Sequence, residues 1–183
     1  ISDLRDKDAS TMTYQSQAAG GFALAPALGV MFLYPNAIAS PGVGAVLPWG
    51  SKVSVLGTLS ADSTIASGKV TLPAGYWYML DGAAQALSAT YDANDQLQYQ
   101  WHNETAYIGT RGRVAFNATS SDNLLSSYDE RAIALVYAAS PLTISLRVLV
   151  NSGINNANNL TDAQASYAGN GRGVIMQLSG SAP

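Results

Sequence analysis

The residues best suited to catalysis or metal binding in this 183-residue chain are one histidine and a few scattered carboxylates. His102 is the only histidine, and Glu104 follows two positions later, so both could face one side of a strand. A zinc site needs several nitrogen or sulfur ligands, and a chain with no cysteine and one histidine has too few of them. A Ser–His–Asp triad could use only His102, and no G-x-S-x-G motif accompanies it. We therefore expect a polar interface or surface role for His102, with no metal ligand.

Two clusters of acidic residues suggest other chemistries. Asp92, Asn94 and Asp95 resemble the start of a calcium loop, but the glycine and the distant glutamate of that motif are missing. The cluster instead predicts a turn held by its own side chains. Glycoside hydrolysis requires two carboxylates that converge in a groove, whereas the adjacent Asp129 and Glu130 would point to opposite sides of a strand. We expect no catalytic residue and no cofactor. A glycan hydrolase is the least favoured function, because it would need the following loop carboxylates to converge: Asp81, Asp92, Asp95 and Glu104.

The composition favours self-association. Only 11% of the residues are charged, against roughly 25% in a typical globular domain, while 48% are hydrophobic. A monomer with so few charges has a poorly hydrated surface, which burial against further copies would relieve. A surface rich in Ser, Thr, Asn and Gln is the alternative. The net charge of −3 and the scattered basic residues argue against nucleic acid. No apolar run reaches the roughly 18–20 residues that cross a bilayer, so we expect no membrane partner.

The chain divides into a charged beginning and a long β-type region. Five of the first eight residues are charged, which predicts an N-terminal arm over residues 1–20 before a single domain over residues 21–183. From Phe22 onwards, short apolar runs alternate with Gly, Pro, Asn and Asp, as is typical of an all-β sandwich. The predicted strands are Leu28–Phe32, Lys52–Leu59, Lys69–Leu72, Tyr76–Leu80, Ala86–Tyr91, Leu97–Asn103, Ala106–Ile108, Arg113–Asn117, Arg131–Ala138, Leu142–Val150 and Val174–Leu178.

Two of these strands indicate contact with a partner. The segment Leu97–Asn103 alternates strictly between apolar and polar residues, and its polar face carries amides that suit a second protein surface. Its faces are Leu97, Tyr99 and Trp101 on one side, and Gln98, Gln100 and His102 on the other. The strand Arg131–Ala138, which includes Tyr137, is apolar on both faces and so should be buried on both. No amphipathic helix is available to cover its second face, which places this strand near a subunit interface. The long segment Asn151–Gly173 is predicted to be a loop.

Several short motifs resemble a known family. They are Pro73–Tyr78, Tyr99–Asn103, Tyr107–Gly109, Ala132–Tyr137, Thr143–Arg147 and Gly173–Leu178. In this order they resemble the C1q/TNF-like jelly rolls of bacteriophage fibres and capsid decoration proteins, over roughly residues 65–180. The resemblance implies a jelly-roll β-sandwich that forms homotrimers, with apolar and aromatic side chains on the three-fold axis. It implies no catalytic residue. The chain differs in having no collagen-like or coiled-coil stalk before the domain, which favours a compact protein.

The resemblance and the composition together predict a structural virion protein. We expect a trimeric capsid decoration or head-fibre protein that binds the major capsid protein and is assembled in the host cytoplasm. The alternative is the receptor-binding tip of a phage tail fibre, in which the loop 151–173 and exposed aromatic residues recognise a surface glycan. The residues predicted at the trimer or shell interface are Tyr99, Trp101, Tyr137, Gln98, Gln100 and His102.

Overall fold

The computed structural model describes residues 27–87, 94–116, 128–157 and 173–178. Within these ranges the chain forms fifteen strands and one four-residue helix, α1 (Leu59–Asp62). The strands are β1 (Ala27–Pro35), β2 (Ile38–Ala39), β3 (Val46–Leu47), β4 (Trp49–Leu56), β5 (Thr64–Ala66), β6 (Lys69–Leu72), β7 (Tyr76–Gly82), β8 (Ala86–Leu87), β9 (Gln96–His102), β10 (Tyr107–Ala115), β11 (Tyr128–Glu130), β12 (Ala132–Ala138), β13 (Leu142–Ser152), β14 (Asn156–Ala157) and β15 (Gly173–Leu178). The predicted arm over residues 1–20 lies outside the described residues.

The strands form two main sheets and a small third one. The five-stranded sheet has the order β12-β7-β15-β1-β4, and the larger sheet runs β11-β10-β9-β13-β6-β5 with β3 added against β13. The third sheet has the order β2-β14-β8. Every described strand pair is antiparallel. This confirms the all-β sandwich that the sequence predicts. No helix among the described residues has the length and apolar character needed to cross a bilayer.

The core lies between the two main sheets and is centred on β9. Tyr99 and Trp101 are fully buried, as the alternation of this strand predicts. The Trp101 ring stacks on Trp49 of β4 with centroids 6.0 Å apart, and its indole N–H donates a hydrogen bond to the Ala132 carbonyl, 3.0 Å away. The Tyr99 hydroxyl donates to the Glu130 carbonyl at 2.7 Å. Side chains of the larger sheet therefore tie the backbone around β12 to the core.

The hairpin partner of β9 differs from the sequence prediction. The sequence predicts two short strands at 106–108 and 113–117, but β10 is one strand with an irregularity between Ile108 and Arg111. Gly109 has a φ of 71° there, and the hydroxyl of the following Thr110 accepts a hydrogen bond from the Ile133 N–H at 3.0 Å. A bulge shifts the alternation of side chains and so hides the continuity of a strand in its sequence. Here the bulge also satisfies the backbone of β12 at the sheet edge.

We predict that Gly109→Ala destabilises the protein strongly. A Cβ atom at Gly109 would lie 2.0 Å from the Ile133 carbonyl oxygen and 2.6 Å from the Ala134 Cβ, in a left-handed backbone conformation. The combined strain and clash should cost about 3 kcal/mol of unfolding free energy, measured by urea denaturation. Gly75→Ala is the matched control, because Gly75 has a φ of 89° with nothing within 4 Å of its added Cβ, and only the backbone cost of about 1 kcal/mol is expected. Equal losses in the two variants would contradict the bulge contact.

The predicted long loop at 151–173 is wrong in its first part. Strand β13 continues to Ser152, and Asn156–Ala157 forms strand β14 between β2 and β8. The Asn151 side chain organises the turn between them: its amide donates to the carbonyls of Pro41 and Ile154, and its oxygen accepts from the Ile154 N–H. This asparagine-rich segment has the composition of a loop, but hydrogen bonds from side chain to backbone hold it in a defined structure. Residues 158–172 lie outside the described residues.

Candidate functional site: an apolar outer sheet face

Strand β12 is buried on one face only. Ala132 and Ala134 point into the core, whereas Leu135 on the opposite face is 63% exposed and Ile133 is 42% exposed. The prediction that this strand is buried on both faces is therefore wrong for the single chain. The reason is that the strand lies at the end of the five-stranded sheet, and its second face belongs to the outside of the sandwich.

The strand register extends this apolar surface across the whole sheet. Leu135 lies opposite Met79, Met79 opposite Met176, Met176 opposite Val30, and Val30 opposite Leu56. Directly opposed residues of neighbouring strands point to the same side. One uninterrupted row of aliphatic and thioether side chains therefore crosses all five strands.

Two parallel rows flank the first. We call the whole surface the apolar face; it consists of Ile133, Leu135, Tyr137, Trp77, Met79, Val174, Met176, Leu178, Val30, Phe32, Val53 and Leu56. Among the described residues of these rows, Asp81 is the one charged side chain, and the Arg131 guanidinium pairs with it at 2.5 Å. Its charge is thus compensated at the edge of the face.

Aromatic residues anchor one end of the apolar face. The rings of Trp77 and Tyr137 lie 5.5 Å apart at an angle of 52°. Both side chains are half-buried, so each presents a large ring surface outward. Trp, Tyr and Met are enriched at protein interfaces, because they bury much apolar area with few rotatable bonds or with adaptable packing. A contiguous apolar surface that spans a sheet marks an interaction site rather than a solvated surface.

The six residues predicted for an interface do not lie together. Tyr137 belongs to the apolar face, while Tyr99 and Trp101 lie in the core with none of their surface accessible. These two residues are therefore buried within the single chain and leave no surface for a partner. Gln98 and Gln100 are half-buried on the outside of the larger sheet, on the other side of the sandwich. The interface predicted from the sequence does not include the residues of β7 and β15. Both strands have apolar residues on both of their faces, which is the pattern that indicates contact with a partner.

His102 is held in a polar network on the larger sheet. Its ring is 9% exposed and meets Tyr107 edge to face at 4.9 Å, and its Nδ1 accepts a hydrogen bond from the Glu104 N–H at 3.0 Å. The Glu104 carboxylate in turn binds Lys69 at 2.7 Å and Arg147 at 3.0 Å. These groups form one network of hydrogen bonds and ion pairs within the chain. Within the described ranges, no three His, Asp or Glu side chains gather as metal ligands would.

The carboxylates proposed for glycan hydrolysis lie on different surfaces. Asp81 belongs to the five-stranded sheet, and Glu104 follows β9 of the larger sheet. Each is paired with a cation of its own surface. Asp92 lies outside the described residues, and Asn94 lies in a turn. Asp81 and Glu104 therefore do not share a groove in which they could act as acid and base.

We predict that protonation of His102 destabilises the fold. Burial, and then the neighbouring positive charge of Arg147, lower the pKa of His102 below its usual 6.5, against the opposing effect of Glu104. A group whose folded pKa is lowered favours the neutral form, so its contribution is complete above the unfolded pKa and declines as the pH falls below 6.5. Because His102 is the only histidine, its ring resonances in a ¹H–¹³C NMR titration report this group alone. A midpoint at or above 6.5 would contradict the burial of the ring.

The comparisons with known proteins concern the fold. No protein-family profile and no curated protein matches the sequence. Among solved structures, Eiger TNF from S. frugiperda is similar with a TM-score of 0.54 and 7% identity, over 86% of this chain and 97% of that one. Murine APRIL at pH 5.0 is similar with a TM-score of 0.51 and 12% identity, over 82% of this chain and 98% of that one. These likenesses confirm that the chain has the TNF-like jelly-roll fold.

Proposed function

We propose that this chain is an assembly module that forms a homotrimer through its apolar face. The observation that carries the proposal is the row from Leu135 to Leu56, which is apolar across all five strands. Burying such a surface releases about 25 cal/mol for each Å² of apolar area, and copies of the same chain supply a matching apolar surface. The low charge content of 11% and the TNF-like fold support this proposal.

The distribution of exposure favours a head-to-tail contact. Within the five-stranded sheet, the most exposed large apolar residues lie at the two opposite edges, with Leu135 on β12 and Val53, Val55 and Leu56 on β4. A two-fold contact uses the same patch on both copies, whereas a head-to-tail contact joins two different patches and generates a ring where its rotation closes. We infer that the β12 edge of one copy meets the β4 edge of the next, three times around a ring.

A mixing experiment tests this arrangement. Leu135→Asp damages the β12 patch and leaves the β4 patch intact, and Val53→Asp does the reverse. Each variant alone should be monomeric, but an equimolar mixture should form heterodimers, because one undamaged interface remains available between the two kinds of chain. Native mass spectrometry distinguishes these species. A mixture that stays monomeric, from two variants that are each folded, would contradict the head-to-tail ring.

At a finer level, the proposed trimer is a structural virion protein that decorates a capsid. The support is the resemblance of residues 65–180 to phage decoration and fibre proteins, together with a three-fold assembly that suits a three-fold point of a shell. The partner would be the major capsid protein, and the bound trimer would bridge neighbouring capsomers and stabilise the shell.

Immunogold labelling of virus particles tests this role. An antibody against the chain should label the surface of the shell in particles from the culture that produces it. Label confined to the tail would favour the alternative of a receptor-binding tip that recognises a surface glycan. Absence of the chain from purified particles would overturn both virion roles and leave the assembly module.

A further inference from the structure

Basic residues concentrate on the outside of the larger sheet. Of the six Lys and Arg residues that the structure describes, four lie there: Lys69, Arg111, Arg113 and Arg147. Two acidic residues accompany them, since Glu104 contacts Lys69 and Arg147, and Glu130 lies opposite Arg113. These described residues therefore place four positive beside two negative charges on this surface, although the whole chain has a net charge of −3. We call it the polar face.

The centre of the polar face is a row of three side chains on neighbouring strands. Arg111 of β10 lies opposite Gln100 of β9, which lies opposite Arg147 of β13. Strands are about 4.8 Å apart, so the two arginines flank the amide with about 10 Å between their backbones. The Gln100 amide N–H donates to the Gly109 carbonyl at 2.7 Å, which fixes the amide and leaves its oxygen available.

The two arginines of this row differ in how they are held. Arg147 donates to Ser145 at 3.1 Å and to Glu104 at 3.0 Å, so its guanidinium is oriented within the network. The Arg111 side chain is exposed and makes no hydrogen bond or ion pair with any residue that the structure describes. Arg113 follows it two positions later on the same side of β10. The Arg111 guanidinium is therefore not engaged by the described part of the chain and is available to a ligand.

The surrounding groups indicate the chemistry of a ligand. Guanidinium groups match carboxylates, and amides and hydroxyls both donate and accept hydrogen bonds, as sugar hydroxyls do. Tyr107 adds an aromatic ring that is 41% exposed and is fixed at its other side by His102. We propose that the polar face binds a carboxylate-bearing polysaccharide of the uronate class, with Arg111 and Arg147 on carboxylates and Gln100 on hydroxyls. A phosphate backbone would need a denser run of cations than this face offers.

The polar face and the apolar face lie on opposite sides of the sandwich. Binding of a glycan should therefore persist in the Leu135→Asp variant, whether or not that variant is monomeric. The proposed glycan site can therefore be disproved without affecting the proposed trimer, and the trimer can be disproved without affecting the glycan site.

Isothermal titration of the full chain with hexagalacturonate tests the site. We expect saturable binding that weakens with added salt, and an Arg111→Gln variant with about 10-fold lower affinity. Arg131→Gln is the matched control, since it removes the same charge from a residue that pairs with Asp81 on the other sheet, and it should bind like the unmodified chain. Fully methyl-esterified hexagalacturonate, which keeps the sugar and loses the charge, should bind at least about 10-fold more weakly.

Three results would overturn the proposal. The first is no binding of hexagalacturonate at millimolar concentration. The second is binding that Arg111→Gln and Arg131→Gln weaken equally. The third is poly-glutamate of similar length binding as tightly as hexagalacturonate, which would identify the polar face as a docking surface for acidic proteins. Both variants should unfold at the same melting temperature as the unmodified chain. A loss of binding then reflects a change in the site and not a loss of the fold.

Discussion

Replacing Leu135 with aspartate is expected to convert the trimer into folded monomers. Leu135 is the most exposed large residue of the apolar face, so the single chain tolerates a charge there, whereas an interface would bury it. A carboxylate buried without a partner costs about 3 kcal/mol or more at each contact, which corresponds to a weakening of at least roughly 100-fold. Sedimentation velocity at micromolar concentration should show one species with the mass of a single chain, and circular dichroism should show an unchanged β-type spectrum.

Val43→Asp is the matched control for this result. Val43 is an even more exposed apolar residue, at 73%, but it belongs to a turn outside the five-stranded sheet. The same substitution there adds the same charge and should leave the assembly unchanged. A Leu135→Asp protein that sediments like the unmodified chain would remove the apolar face from the interface.

Replacing Trp101 with alanine should cause the largest loss of stability of any variant considered. The side chain is fully buried, stacks on Trp49 and donates a hydrogen bond to the Ala132 carbonyl, so it joins β9, β4 and β12. Removing it leaves a large cavity and an unsatisfied buried carbonyl. We expect a loss of about 4 kcal/mol or more of unfolding free energy, measured by chemical denaturation at one fixed protein concentration.

Two further variants separate packing from the hydrogen bond. Trp101→Phe keeps an aromatic ring against Trp49 and loses the indole N–H, so it should lose roughly half as much as the alanine variant. Tyr107→Ala removes a half-exposed ring from the strand paired with β9 and should cost less than about 1 kcal/mol. A Trp101→Ala variant as stable as Tyr107→Ala would show that Trp101 does not join the two sheets.

Local sequence patterns predict much of the fold. The strict alternation of Leu97–Asn103 predicts a strand with Tyr99 and Trp101 on its buried side, and that is how β9 lies in the sandwich. Lys69–Leu72 forms a strand with the predicted boundaries, because glycine and proline residues punctuate it at both ends. Such signals depend on a few neighbouring residues and on the period of a strand, which a sequence displays directly.

The candidate site is not visible in the same way. Leu135, Met79 and Met176 form one surface only because β7 lies between β12 and β15, and these strands are distant in the chain. The burial of His102 likewise depends on Tyr107, whose strand contains a bulge that disguises it as two strands. Strand order and register are set by the packing of the whole core, so a single sequence indicates an apolar strand without showing its neighbours.

The mass of the unmodified chain in solution tests the central claim most directly. Multi-angle light scattering on a column eluate at micromolar concentration should give three times the 19.0 kDa of one chain. This mass should stay the same when the protein is diluted within the micromolar range. A stable species of 19.0 kDa would contradict the claim that the apolar face is an interface between copies of this chain.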